Sequence, residues 1–363
     1  MKFENWASPV PFSCYFRAMK QDIRELSQAE MEQAFAALGV EKFRAKQVHE
    51  WLWKKSAQSF EQMTNLSKSF REELTNHFSF DLLQESIAQK SSDGTVKLGI
   101  RLKDSRMVEG VMIPDGERAT ACVSSQVGCT LSCAFCATGF LKRERNLTAA
   151  EIYDQVVLLN QHAKDHNGKG LTNIVYMGMG EPLLNYDNVL QSIYLITSPE
   201  GLNMSQKRIT VSTSGISRGI VRLADENKKF NLALSLHAAT NEKRDQIMDI
   251  NRSNNLESLV ESMNYFYQKT GNKITFEYIL FDHFNDSLED AEHLISLYHQ
   301  VPAFVNIIEY NNVEGVTLKR AKKERRDTFV DYLRKRGIEV AVRRSRGKDI
   351  DAACGQLANK MEG

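Results

Sequence analysis

The sequence lacks any apolar run approaching the roughly 18 residues that a membrane span needs. Its opening stretch, MKFENWASPVPFSCYFRAMK, also lacks the continuous apolar core of a signal peptide. A cytoplasmic protein without membrane attachment is therefore expected. A charge bias is missing too: 47 Lys and Arg stand against 46 Asp and Glu, a net of +1. Any nucleic-acid binding must then come from local basic patches rather than a global field. There is no short internal repeat and no low-complexity stretch. Cysteine is scarce, six in 363 residues, yet four of the six fall between Cys122 and Cys136. That crowding indicates metal ligation in a reducing compartment rather than a disulfide framework. The remainder, 42% hydrophobic and 26% charged, is ordinary for a globular chain. Its length suits one large domain plus a smaller one.

The chain is organised around the cysteine-rich stretch. Cys129, Cys133 and Cys136 form a C-x3-C-x2-C array, so a short loop can aim three thiolates at one inorganic group. A [4Fe–4S] cluster has four irons and takes thiolate ligands; three ligands leave one iron open to a small chelating molecule. Gly128 and Ser132 are small, as a tight loop requires. A zinc site with Cys122 as fourth thiolate competes, although structural zinc more often uses two paired arms and no second arm lies nearby. A set of buried free cysteines is the remaining alternative.

Along the chain, residues 1–18 show little periodicity and read as a loose arm, or as sequence upstream of a start at Met19; Cys14 gets no role. Residues 19–84 read as a small helical domain, a candidate RNA-binding module or a mere cap. Ser27 and Glu30 form a capping-box pattern there, and Phe43, Val48, Trp51 and Leu52 give the second helix an apolar stripe. Residues 85–117 turn to strands, with Asp93-Gly94 as a hairpin signal, and lead into the core. From 118 to 350 strands and helices alternate: ATACVSS, NIVYMGM (173–179), RITVST, LALSLHA (232–238), ITFEYILF, FVNIIEY and EVAVRR are separated by helical segments, the first opened by Thr148 and Glu151. Strands apolar on both faces and covered by helices indicate a parallel sheet. The units are too few for a closed eightfold barrel. The expected fold is α/β: a partial open (β/α)6 barrel with a small N-terminal helical domain and a β-hairpin extension, followed by a tail at 351–363.

In such a sheet, sites form beyond the carboxyl ends of the strands. Those ends carry Gly178, Gly180 and Glu181, then Ser212-Thr213-Ser214-Gly215, Ser235-Leu236-His237, and Asn311-Asn312. Glu181 can accept hydrogen bonds from an ammonium group. Singly each is weak: Ser and Gly fill turns, and a lone histidine is more often structural. Their recurrence beside an open-site cluster raises them together.

These residues carry a resemblance. The array, GMGEP and a six-unit partial barrel resemble the radical S-adenosylmethionine superfamily. CVSSQVGC, CAFCATGF, MGMGEPLLN, STSG, SLHA and DIDAACGQLA, with FRAKQV and SSDGTVK in the front part, resemble more narrowly the RlmN-type adenine-C2 methyltransferases of ribosomal and transfer RNA. The Cfr-type enzymes, which methylate C8 of the same ribosomal adenosine, share the cysteine loop and DIDAACGQL, but Val127 and Pro182 look more like the C2 group.

The resemblance implies one [4Fe–4S] cluster on Cys129, Cys133 and Cys136, and two S-adenosylmethionine molecules per turnover. It implies contacts to S-adenosylmethionine from Gly180, Glu181, Ser212, Ser235, Leu236, His237 and Asn311; Asn312 stands where the family often has proline. It also implies a relay in which Cys354 carries the methyl group as S-methylcysteine. Glu109 then accepts the C2 proton, and Cys122 resolves the adduct through a transient disulfide with Cys354. The implied partners are 23S ribosomal RNA at adenosine 2503, transfer RNA at adenosine 37 and a flavodoxin-like one-electron donor, with the enzyme a monomer. Small Ala352, Ala353 and Gly355 leave the Cys354 thiol unhindered, and Arg343, Arg344, Arg346 and Lys348 upstream favour its thiolate. Those four extend a basic run through Lys319, Arg320, Lys322, Lys323, Arg325, Arg326, Arg334, Lys335 and Arg336. The run is either a solvated helix face or a phosphate track, and Lys142, Arg143 and Arg145 add charge at the barrel mouth. Two other classes remain: a radical enzyme acting on another substrate, which leaves Cys354 without purpose, and a zinc RNA-binding module without catalysis, which predicts a colourless protein.

Overall fold

The computed structural model describes residues 20–360, so the expected arm at 1–18, Met19 and Cys14 lie outside the described residues. A short parallel pair, β1 (Gln21–Asp22) with β2 (Phe78–Ser79), brackets three helices: α1 (Gln28–Ala37), α2 (Phe43–Trp53) and α3 (Lys68–His77). Ser27 and Glu30 form the expected capping box: the Glu30 N–H donates to Ser27 Oγ at 3.2 Å and the Ser27 N–H donates to Glu30 Oε2 at 2.7 Å. Met31, Phe35, Val48, Leu52 and Leu74 fill the core between the helices. Phe43 departs from the expected stripe and is 55% exposed. It is the first residue of α2, whose buried face follows at Ala45, Val48, His49 and Leu52. Its ring instead lies under the Arg44 guanidinium.

One buried arginine fixes this helical unit to the rest of the chain. Arg24 donates from Nη1 to both oxygens of Asp154 at 2.7 and 2.6 Å, and pairs with Asp22 at 3.1 Å. Trp53 packs edge-on against Tyr153, whose hydroxyl donates to Trp53 O at 2.7 Å. Burial raises the Asp154 carboxyl, while the Arg24 charge opposes that rise. Replacing Arg24 with alanine strands two buried carboxylates and should cost about 3–5 kcal/mol; denaturant unfolding of the two proteins checks it.

Beyond this unit runs an open ten-stranded sheet. Its first part is antiparallel: β3 (Gln84–Lys90), β4 (Val96–Arg101), β5 (Met107–Asp115) and β6 (Arg118–Cys122), with Asp93-Gly94 in the expected turn. A small hairpin, β7 (Gln126–Val127) with β8 (Arg145–Asn146), then frames the cysteine loop. The chain continues through α4 (Ala149–Asn167), β9 (Asn173–Tyr176), α5 (Tyr186–Thr197), β10 (Ile209–Thr213), α6 (Ser217–Asp225) and β11 (Asn231–Ser235). It ends with α7 (Asn241–Ile247), α8 (Leu256–Thr270), β12 (Ile274–Leu280), α9 (Leu288–Tyr298), β13 (Ala303–Glu309), α10 (Lys323–Lys335) and β14 (Val340–Arg343).

The order is β14-β13-β12-β11-β10-β9-β6-β5-β4-β3, parallel from β14 to β6. This is the expected α/β partial open (β/α)6 barrel, and the strand extension continues its own sheet through the β5–β6 pair. Thr148 and Glu151 cap α4 as expected. No helix was expected at α7, whose start is capped by Thr240. Two strands also end early. β9 stops at Tyr176 and β11 at Ser235, each three residues before the expected end. Among the described residues no helix is long and apolar enough to cross a membrane.

Candidate active site

Where those strands stop early, the chain peels away from the sheet and forms the floor of a cavity of about 190 Å³. After β9, Gly178 lies so close to the loop following β6 that a Cβ there would sit 2.7 Å from both Ser124 Oγ and Val123 O. Gly180 has φ +94°, and its Cβ would meet Gln126 Cβ at 2.5 Å. Only glycine permits that approach. After β11, His237 takes φ +56° and its carbonyl accepts from Asn285 Nδ2 at 2.7 Å.

One wall of the cavity is the cysteine loop. Cys129, Cys133 and Cys136 line it together with Gly180, Glu181, Ser212, Ser235 and His237. Burial pushes the Cys129 thiol up to about 11 and raises Cys133 and Cys136 as well, the neighbouring sulfurs adding to the rise for Cys129 and Cys133. Three such thiols do not ionise together at neutral pH unless a cationic group binds them. The Leu131 N–H already points at Cys129 Sγ from 3.4 Å. This donor set suits an iron–sulfur cluster, which spreads its thiolates over separate irons. Among the described residues no three His, Cys, Asp or Glu side chains converge on a single-ion geometry. Cys122 lines the same cavity and interacts with Cys354, Arg343 and the Met177 backbone.

The strand ends supply polar groups. Ser212 Oγ and Ser235 Oγ lie 3.4 Å apart. The Ile279 N–H donates to His237 Nδ1 at 3.2 Å, and burial, with Arg244 adding, lowers the imidazole to about 3. His237 is therefore neutral, and its proton is assigned to Nε2. Glu181 is buried and its carboxyl raised by burial. Its carboxylate takes N–H donors from Leu183 at 3.0 Å and Ser214 at 2.7 Å, which ties the glycine loop to β10. A carboxylate has about four acceptor positions, so capacity remains for an ammonium group. Leu236 and Asn311 do not line the cavity. Leu236 is fully buried, and Asn311 donates to Ser345 Oγ at 2.8 Å.

The tail forms another part of the lining, next to the cysteine loop. Cys354 enters the cavity beside Cys122 and Arg343. The Cys354 charge, then Glu277 and Cys122, holds the Arg343 guanidinium above its usual range against burial. Hydrogen bonds from distant parts of the chain seat this tail. Ala137 N–H donates to Gly355 O at 2.7 Å, Thr138 Oγ1 to Leu357 O at 2.6 Å, and Ala358 N–H to Glu109 Oε2 at 2.8 Å. Glu109 lies outside the cavity lining, buried and 3.6 Å from Lys97 Nζ. Burial raises its carboxyl, opposed by Lys97 and the tail N–H groups. Of the cations expected near Cys354, Lys348 instead pairs with Glu309 at 2.9 Å. Arg346 reaches the cavity but leans to Asp115 at 3.7 Å.

Two residues of the site escaped sequence reasoning. Glu277 lines the cavity with Oε2 buried and lacking a hydrogen-bond partner, 3.8 Å from Arg343. Its signal was a lone acid inside the apolar run ITFEYILF. Arg244 is fully buried and donates to the carbonyls of Ser214 at 2.6 Å, Leu236 at 3.2 Å and Ser235 at 3.3 Å, so it clamps two strand ends together. Nothing in its local sequence marked it. The basic C-terminal run is also less free than its sequence suggests. Arg325 pairs with Asp286, Arg326 with Glu309 and Arg336 with Glu292. At the mouth Arg145 is held by Asp104 and Glu151.

Residues 21–79 match the family described as the ribosomal RNA large subunit methyltransferase N-terminal domain, and residues 123–296 match the radical SAM superfamily. A probable dual-specificity RNA methyltransferase RlmN of Cytophaga hutchinsonii is 54% identical over 341 residues, covering 94% of this chain and 93% of that one. The corresponding protein of Streptococcus thermophilus is 43% identical, covering 94% and 90%. A crystal structure of a radical SAM methyltransferase from Sphaerobacter thermophilus superposes with a TM-score of 0.88 at 40% identity, covering 93% of this chain and 99% of that one.

Proposed function

Because the chain belongs to the RlmN family of radical S-adenosylmethionine RNA methyltransferases, we propose that it methylates adenosine C2 through an S-methylcysteine relay. The observation that carries this reading is the meeting of Cys122 and Cys354 about one arginine, Arg343, in the cavity that the three array cysteines line. C2 of adenine is electron-poor and bears no acidic proton, so direct displacement on a methyl donor does not reach it. Held by Cys129, Cys133 and Cys136, with Gly180, Glu181, Ser212, Ser235 and His237 about the donor, a [4Fe–4S] cluster and S-adenosylmethionine would supply a 5′-deoxyadenosyl radical.

The chain's own residues do the rest. Cys354 takes a methyl group from one S-adenosylmethionine by displacement, a step suited to a thiolate. Loss of a hydrogen atom from that S-methyl group leaves a methylene radical, which adds to C2 and links the RNA to Cys354. The C2 proton of the adduct passes to Glu109, and its unpaired electron returns to the flavodoxin-like carrier that supplied the initiating electron. Cys122 then attacks the Cys354 sulfur. The linking carbon leaves with the electron pair of its bond to sulfur and takes a proton, so it ends as a methyl group. The two sulfurs end as a disulfide, and reductant is needed at each turnover. Two S-adenosylmethionine molecules are consumed. The substrates are adenosine 2503 of 23S ribosomal RNA and adenosine 37 of transfer RNA, with a flavodoxin-like protein supplying electrons to a monomeric enzyme.

Mass spectrometry of RNA nucleosides from a deletion strain tests the reaction. Loss of 2-methyladenosine is the expected result, while loss of 8-methyladenosine moves the assignment to C8. Glu109 adds a pH test. Its carboxyl is raised by burial, so the basic form is populated only above the ordinary carboxylate range. The acid limb of the single-turnover profile should lie there. Glu109→Gln should remove that limb and slow product formation by about 10²–10⁴-fold; a limb that survives the substitution assigns the proton to another group.

A further inference from the structure

Phe140 ends the 3₁₀ turn Ala137–Phe140 directly after the cysteine array, and 62% of it is exposed. A single exposed aromatic is ordinary on a protein surface. Its mounting and its neighbours set this one apart. Gly139 packs so tightly on the array that a Cβ there would lie 3.0 Å from Cys133 O. Ala137 N–H and Thr138 Oγ1 bind the tail at Gly355 and Leu357. The ring therefore stands on a turn clamped between the cysteine loop and the segment bearing Cys354.

Charge points the same way. Lys142 and Arg143 follow in the chain, both exposed, and among the described residues neither has a carboxylate partner; Arg145, two residues on, has two. Arg344, on the tail side of the cavity, has none either. An aromatic ring beside unneutralised cations is what single-stranded nucleic acid requires, with bases stacking on the ring and phosphates meeting the charges. A target adenosine must leave its stack to enter a cavity, and the neighbouring base then loses a partner.

We propose that Phe140 replaces that partner: an unpaired nucleobase flanking the target adenosine stacks on its ring, with the adjoining phosphates on Lys142 and Arg143. The proposal rests on the RNA methyltransferase reading and names a contact of that site with its substrate.

The test is the affinity of the cluster-loaded enzyme for an RNA hairpin whose loop presents an unpaired adenosine. Iron content and absorption spectra of each variant report that the fold is kept. Phe140→Ala should raise Kd about tenfold, within the range that loss of one base–aromatic stack gives, and Phe140→Trp should stay near the wild-type value. Removing Lys142 and Arg143 together should flatten the dependence of log affinity on log salt by about 0.7 per charge. Wild-type affinity in Phe140→Ala, equal losses in both Phe140 variants, or an unchanged salt slope would overturn the proposal. Wild-type enzyme that carries its cluster yet binds no hairpin would instead remove the RNA reading on which the proposal rests.

Discussion

Cys354→Ala is expected to abolish methyl transfer to RNA while cleavage of S-adenosylmethionine continues. The two outcomes separate because the groups that serve them lie on different segments. The array thiols and the glycine loop come from the barrel and Cys354 from the tail, although all line the same cavity. Alanine keeps the backbone that accepts the Ala137 N–H at Gly355 and donates from Ala358 to Glu109, so the tail should still dock. What is lost is the sulfur that carries carbon in the proposed relay. Methylated nucleoside and 5′-deoxyadenosine are measured side by side. Normal methylation by the variant would rule out the relay, whereas loss of both products would point to a damaged cofactor site.

Cys122→Ala should stop the enzyme one step later, with RNA covalently bound to the protein and turnover confined to a single event. Burial pushes the Cys122 thiol up to about 12, and the Arg343 guanidinium beside it opposes that rise, favouring the thiolate that the attack needs. In the variant no thiolate takes that place. A slow-migrating species on denaturing gels, collapsed by ribonuclease and absent from the Cys354→Ala protein, is the expected observation. Free product at the wild-type rate would remove Cys122 from the mechanism. Wild-type enzyme given the one-electron donor but no thiol reductant should likewise halt after one turnover, with its two thiols oxidised.

The cysteine array, the capping boxes at Ser27 and Thr148, the hairpin at Asp93-Gly94 and the order of strands and helices were legible in the sequence. Each depends on residues within a few positions of one another, where spacing alone fixes geometry. The early ends of β9 and β11 were not, because an apolar strand pattern does not show where a glycine loop or a strained histidine will leave the sheet. The exposure of Phe43 and the pairing of Arg145, Arg325 and Arg326 were likewise hidden, since charge counts along a chain do not reveal which carboxylates fold back on it.

Sequence by itself determined the fold class, the three-thiol array and the strand-end residues that line the cavity. Tertiary structure alone decided that Glu109 holds the tail through Ala358, 249 residues away. It alone placed Arg343 beside Cys122 and Cys354 with the Glu277 carboxylate 3.8 Å from its guanidinium, and gave Arg244 the task of clamping two strand ends. The reason is physical: burial sets the energies of these groups, and burial is a property of the assembled sheet and docked tail. No local run of residues carries it.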